Sequence, residues 1–212
     1  FEKLLQEYTG EARMSDLVKP AIITSYDLRS REIMNFSTYD ACLVNPGEDV
    51  TQFQPQRNRD FYRKDKNVYI WQAVRASSAA PVYFKPLELE IGGKQRALID
   101  AGLFIMSPTL LAWVETQKMY PDRPLIVISI SSGALKEDRK VKTQGATAGS
   151  IPKVLKPTIE TALEGQQALT DLMMRDIPNI KYHRLTFDVK SKEFDDASEE
   201  NIKSLEASAK VT

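Results

Sequence analysis

Histidine and cysteine are almost missing from this chain: His183 and Cys42 are single occurrences in 212 residues. One cysteine excludes an intramolecular disulfide, and one of each leaves a Cys/His zinc site without enough ligands. A Ser-His-Asp triad would have to use His183, and a Cys-His pair would have to join Cys42 to it. Net charge is missing too. The 29 Lys and Arg residues equal the 29 Asp and Glu residues, which argues against a nucleic-acid partner, since proteins that track phosphates carry a basic excess. Zero net charge leaves contact with lipid open, because esters can be reached through apolar and local contacts. No apolar run approaches the roughly 20 residues of a membrane span, and the longest, Leu125 to Ile130, is strand-sized. Nor does the opening segment read as a signal peptide. The chain opens Phe1-Glu2-Lys3-Leu4-Leu5 with a helical pattern already under way, so the numbering is read as starting inside a domain. Cytoplasm or a membrane periphery is the expected compartment, with secretion left open.

What is present alternates between strands and helices. Phe1 to Glu7 reads as a helix end stopped near Gly10. Ala21 to Tyr26 is a β-branched apolar run after Pro20, and it turns through Asp27-Leu28-Arg29-Ser30-Arg31 into a partner strand at Ile33 to Phe36. Residues 45 to 66 are polar and read as a loop or an irregular insertion, with Arg57, Arg59, Arg63 and Lys64 beside Phe61 and Tyr62 as a solvated basic cluster or an anionic-lipid or partner contact. Val68 to Ser78 has helical spacing, and Pro81 stops it because the residue before a proline resists the α region. Ala97-Leu98-Ile99 is a short strand running into Asp100-Ala101-Gly102. Ser107-Pro108 reads as a helix start with serine at the cap, and Leu125 to Ile130 reads as a strand covered on both faces of a parallel sheet. Residues 131 to 157 read as a loop, Ile159 to Met173 as an amphipathic helix, and Tyr182 to Val189 as a late strand. Asp196-Ala197-Ser198-Glu199 resembles a capping box before a closing helix. The alternation indicates a single α/β domain. Ala21 to Tyr26, Ala97 to Ile99 and Leu125 to Ile130 are expected in one largely buried sheet with helices on its faces.

Asp100 is the candidate for chemistry. It stands where an apolar strand ends and a glycine-containing turn begins, and such strand ends face the ligand crevice in α/β folds. Taken locally, an Asp-x-Gly turn more often holds an aspartate that merely orders the turn by bonding backbone N–H groups.

The surroundings add to this. Ala76-Ser77-Ser78-Ala79-Ala80-Pro81-Val82-Tyr83-Phe84 resembles the A-[ST]-x-A-A-P-x-x-F helix end of patatin-like phospholipases. Leu98-Ile99-Asp100-Ala101-Gly102-Leu103 followed by Ser107-Pro108-Thr109 is similar to that family's Asp-Gly-Gly turn and Asn-Pro helix start. Leu125 to Gly133 resembles the strand and Gly-Thr-Gly-like turn that follow. Met14-Ser15-Asp16-Leu17 with Pro20 to Asp27 resembles the entry to the family's central strands, and Asp195 to Asn201 its closing helix. The order and spacing of these pieces run across nearly the whole chain.

The resemblance implies a patatin-like three-layer α/β/α fold with a central, mostly parallel sheet, of which residues 1–212 are the C-terminal portion. It implies hydrolysis of acyl lipids, phospholipids among them, to free fatty acid by a Ser-Asp dyad. That chemistry calls for no histidine, metal or cofactor. Asp100 would be the general base, with Ala101 and Gly102 as the active-site turn. Peripheral membrane contact would bring substrate to it, and oligomeric state is left open. The family's Gly-x-Ser-x-Gly elbow and glycine-rich oxyanion loop do not occur in these residues and are expected N-terminal to Phe1. Gly145-Ala146-Thr147-Ala148-Gly149 mimics the elbow but has no apolar strand before it to carry the strained turn. Ala101 replaces the family's first turn glycine, and Ser107 replaces its asparagine. Ser77 and Ser78 read as small residues packed at a helix end, His183 as a solvent-facing or hydrogen-bonded strand residue, and Cys42 as an ordinary thiol. A non-enzymatic patatin-like module acting by protein or membrane contact, and an unrelated α/β protein, are the competing readings.

Overall fold

The computed structural model describes residues 1–38, 67–81, 83–121, 123–135, 151–189 and 196–210. The loop expected over 45–66, its basic cluster, Cys42, Val82, the segment 145–149 and Asp195 all lie outside the described residues. Two compact units are present, Phe1–Arg123 with Ala162–Thr170, and Pro124–Thr161 with Asp171–Thr212.

The first unit is built on a four-stranded sheet. Its strands are β1 (Ile22–Asp27), β2 (Glu32–Ser37), β3 (Leu87–Ile91) and β4 (Lys94–Asp100), in the order β2-β1-β4-β3. Every neighbouring pair is antiparallel. The chain dictates this: β1 to β2 and β3 to β4 are joined by turns too short for the crossover that parallel neighbours need. Helix α1 (Glu2–Thr9) packs on α2 (Ile70–Ser77), which lies across β1, β4 and β3. Ala73 and Ala76 are fully buried on α2, three residues apart and so on one face. Their small side chains let the helix approach the sheet, where they meet Met14, Phe36, Val68, Ile91 and Leu98 in the core.

A carboxylate is built into this sheet at the end of β1. Asp27 has no exposed surface, yet each of its oxygens accepts two hydrogen bonds. Oδ1 takes the backbone N–H groups of Arg29 at 3.0 Å and Ala97 at 3.1 Å. Oδ2 takes the Ser30 hydroxyl and the Arg96 guanidinium, both at 2.8 Å. Burial alone would push this carboxyl up, but Arg96, the two amides and Ser30 outweigh it and hold the group at about 2, below its ordinary 3.8.

Helix α3 (Thr109–Met119) follows the 3-10 turn Ala101–Leu103. It begins later than the sequence suggests. Pro108 occupies the cap position without a side-chain cap, and the Ser107 hydroxyl bonds Thr109 Oγ1 at 2.9 Å instead.

The second unit carries parallel pairing. Strand β5 (Leu125–Ile130) pairs with β7 (Ile180–Leu185), and β6 (Ala134–Leu135) with β8 (Asp188–Val189). The chain is thus mixed α/β, as the family resemblance implies. The expectation of one sheet containing β1, β4 and β5 needs correction: β5 pairs with β7, while β1 and β4 are neighbours in the antiparallel sheet. Nor is β5 covered on both faces. Ile126, Ile128 and Ile130 are exposed, on the same face as Lys181 and His183 across the ladder, whereas Ser129 is buried. Helix α4 (Ile151–Asp176) starts inside the stretch read as loop. Its Asp171 accepts a hydrogen bond from the Tyr182 hydroxyl and lies 3.7 Å from Arg184, which donates to Ser129 at 2.6 Å. Burial first, and then the bond to Asp171, push the Tyr182 phenol up. The closing helix α5 (Glu199–Ala209) is capped by Ser198, whose hydroxyl accepts the Asn201 N–H, rather than by Asp196. Asp196 instead accepts the Ser198 N–H, and its carboxyl is lowered first by the Ser198 side chain and then by that N–H. No helix among the described residues is long and apolar enough to cross a membrane.

Because the folded Asp27 carboxyl sits below its ordinary value, its ionised form stabilises the fold. The contribution is complete above about pH 4 and is lost as pH falls through about 2. It amounts to about 2 kcal/mol. Urea unfolding between pH 6 and pH 2 should show this loss, and Asp27→Asn should remove that part of the pH dependence while lowering stability at neutral pH. Parallel acid limbs in the two proteins would contradict the assignment.

Candidate active site

Strand β4 delivers Asp100 to the end of the sheet, next to the last turn of α2. Three local features fix it there. Its backbone N–H donates to Ala79 O at 3.1 Å, so the Ala76 to Phe84 segment and the aspartate turn, separate in sequence, are hydrogen-bonded to each other. Its cross-strand partner on β1 is Ser25, whose buried hydroxyl donates to Ile99 O at 2.7 Å. Its own Oδ1 accepts the Gly102 N–H at 2.7 Å and so caps the following 3-10 turn.

The turn-ordering role open to Asp100 from its local sequence is therefore present, and it occupies one oxygen. Oδ2 has no partner among the described residues. The side chain is partly buried, which leaves that oxygen available to a proton donor.

Ala101 and Gly102 differ in what they contribute. Ala101 is 1% exposed and packs inward, so the methyl that departs from a two-glycine turn is accommodated. Gly102 has no such freedom. A Cβ there would lie 3.1 Å from Asp100 Oδ1, crowding the carboxylate. Beyond the turn, Leu103, Phe104 and Met106 present apolar surface, and the Phe104 ring stacks on Tyr26 with centroids 3.8 Å apart.

Ser77 ends α2 and Ser78 is its C-cap, bonded to Val74 O through its N–H. His183 is exposed on β7. Among the described residues no group of three or more His, Cys, Asp or Glu side chains could hold a metal. Two residues escaped the sequence reading, Ser25 and Asp27. Asp27 carries a local signal, an aspartate followed two and three residues on by an amide and a serine that it can bond. Its pairing to Arg96 has none.

Comparison with known proteins agrees with the motifs. The family model described as Patatin-like phospholipase matches residues 1–113. Calcium-independent phospholipase A2-gamma of Oryctolagus cuniculus is 30% identical over 175 residues, covering 79% of this chain and 20% of that protein. Patatin-like protein 6 of Arabidopsis thaliana is 29% identical over 143 residues, 63% of this chain and 25% of that protein. The 85/88 kDa calcium-independent phospholipase A2 of Rattus norvegicus is 30% identical over 124 residues, 57% of this chain and 14% of that protein. The chain thus spans a quarter or less of the length of these curated relatives.

Gly102→Ala tests the crowding directly. The added methyl must lengthen the Gly102–Asp100 bond, so urea unfolding should show a loss of about 1 kcal/mol, the worth of one such bond. Hydrogen exchange at the residue 102 amide should quicken. Unchanged exchange there would show that the carboxylate yields without cost.

Proposed function

The chain belongs to the patatin-like phospholipase family, and on that premise we propose that it supplies the aspartate of a Ser-Asp dyad in an acyl-lipid hydrolase. Residues 1–212 are the C-terminal portion of one patatin-type domain. The Gly-x-Ser-x-Gly elbow and the oxyanion loop, neither of which occurs in these residues, come from sequence upstream of Phe1.

The observation that carries this reading is the division of labour within Asp100. Oδ1 is held by Gly102 N–H, so the carboxylate is oriented before substrate arrives, and Oδ2 is left to act. In the proposed reaction the serine hydroxyl gives its proton to Oδ2 as its oxygen attacks the ester carbonyl carbon. Backbone N–H groups of the upstream loop hold the resulting oxyanion. The alcohol of the lipid leaves with the proton from Asp100, and the acyl group stays on the serine. Water then gives a proton to the same carboxylate as its oxygen attacks the acyl-serine, and Asp100 returns that proton to the serine oxygen as the ester bond breaks and the fatty acid leaves. One carboxylate serves both half-reactions, so the scarcity of histidine is no obstacle. The exposed Leu103, Phe104 and Met106 beside the turn support approach to an acyl chain or a bilayer surface. Phospholipids are the substrate class that the relatives' names support.

Asp100→Asn in the longer protein is the test. The substitution keeps the oxygen that accepts the Gly102 N–H and removes the base. Turnover should fall about 10²–10⁴-fold with the thermal midpoint nearly unchanged. Residues 1–212 alone, lacking nucleophile and oxyanion donors, should hydrolyse a short-chain nitrophenyl ester no faster than a denatured control. Near-normal turnover by Asp100→Asn in an active hydrolase would refute the dyad, and robust activity of the isolated chain would refute the upstream serine.

A further inference from the structure

The peptide unit that leads into Asp100 is held at both ends by different elements. Its carbonyl, Ile99 O, accepts the Ser25 hydroxyl from β1 at 2.7 Å. Its amide, Asp100 N–H, donates to Ala79 O beyond the end of α2 at 3.1 Å. Fixing both ends of one planar unit fixes the N–Cα bond that leaves it, so that only rotation about that bond is left to set the Cα–Cβ bond of Asp100. That bond carries the carboxylate.

Ser25 is an unusual residue for its place. It has no exposed surface and sits on a central strand, where an apolar side chain would be easier to bury. Its one hydroxyl proton goes to the carbonyl immediately before Asp100, its own cross-strand partner. Two residues further on, Asp27 ties the same pair of strands through Ala97 N–H and Arg96. Leu28 N–H adds a bond of 2.9 Å to Ala97 O. On the far side of the turn, Tyr26 stacks on Phe104. Strand β1 therefore grips the polypeptide before Asp100 at Ala97 and Ile99, and after it at Phe104.

We infer that Ser25 is a positioning residue for the Asp100 carboxylate, acting through the Ile99–Asp100 peptide unit, with the remainder of β1 setting the register. The inference rests on the base role proposed for Asp100. A serine-to-carboxylate proton transfer tolerates little displacement, and misplacement by about 1 Å can cost on the order of 10²-fold in rate. Without the Ser25 hydroxyl, Ile99 O keeps only its ladder pairing with Tyr26, and the loosened peptide unit lets the carboxylate sample directions away from the nucleophile. Substrate binding, which lies on other groups, is unaffected.

The experiment is a double-mutant cycle in the longer protein, with steady-state hydrolysis of a phosphatidylcholine in mixed micelles as the readout. Ser25→Ala alone should lower kcat about 10- to 100-fold and leave KM within about twofold. In an Asp100→Asn background, the same substitution should produce no further fall in the residual rate, because there is no base left to misplace. Equal losses in both backgrounds, as general loosening of the domain would give, overturn the inference. Should Ser25→Ala fail to fold, Ser25→Cys fills a similar space with a weak donor and is expected to show the same pattern, while an undiminished kcat overturns it. A fall in Asp100→Asn with none in Ser25→Ala removes the positioning role and leaves the dyad standing. No fall in Asp100→Asn removes both.

Discussion

A carboxylate without exposed surface is tolerated only when it is paired and hydrogen-bonded, and around Asp27 β4 and the turn after β1 supply four donors. Two come from the turn that follows β1, the Arg29 amide and the Ser30 hydroxyl. Two come from β4, the Arg96 guanidinium and the Ala97 amide. The group therefore closes the β1–β2 hairpin and fastens it to a strand some seventy residues away in one set of contacts. Removing Arg96 would leave the buried carboxylate without its charge partner, and breaking a buried pair in this way costs roughly 3–5 kcal/mol in comparable settings. Register follows from this clamp. With Ala97 held, the pairing of Leu98, Ile99 and Asp100 against Asp27, Tyr26 and Ser25 is determined, and so is the point at which β4 leaves the sheet.

The site inherits its geometry from that register. Asp100 lies three residues beyond the clamp, its preceding peptide unit bonded to Ser25 on one side and Ala79 on the other. This explains why a chain of small residues ends α2. Ala76 and Ala79 are both fully buried, and bulk at either position would lift the Ala79 carbonyl from Asp100 N–H. The turn-capping role of Asp100 is also compatible with the base role proposed for it, since capping occupies one oxygen and leaves the other.

Much of this was legible in the sequence, for physical reasons that also mark where legibility stopped. Periodicity and proline or glycine punctuation placed α1, β1, β2, α2, β4 and α5 near their observed bounds, because each is a local pattern. Strand β3 has a local pattern as well and was passed over. Leu87-Glu88-Leu89-Glu90-Ile91 alternates, and Gly92 and Gly93 adopt φ of 62° and 72°, the left-handed region that tight hairpins require. The start of α4 was hidden by the polar, Gly/Lys/Ser-rich composition of residues 131–157, although Pro152 is tolerated in a first helical turn where its missing N–H has no partner to lose. For β5, a continuous apolar run does not reveal how many faces are covered, and the structure exposes alternate isoleucines. The sheet assignment of β5 failed for a related reason, since pairing partners are not encoded in a strand's own residues. Asp27 is the deepest omission: its charge partner Arg96 is 69 residues away, and no spacing rule connects them. Asp100 itself was found through the family motifs around it, not through its own turn.

The central claim is that this sheet holds Asp100 ready to take a proton from a serine supplied by upstream sequence. A crystal structure of the longer protein measures that directly, as the distance from Asp100 Oδ2 to the oxygen of the elbow serine. The account predicts hydrogen-bond reach, about 2.6–3.2 Å, with Oδ1 still on the Gly102 amide and the Ile99 carbonyl still on Ser25. A serine whose hydroxyl faces a histidine or a different carboxylate, with Asp100 out of reach, would contradict it.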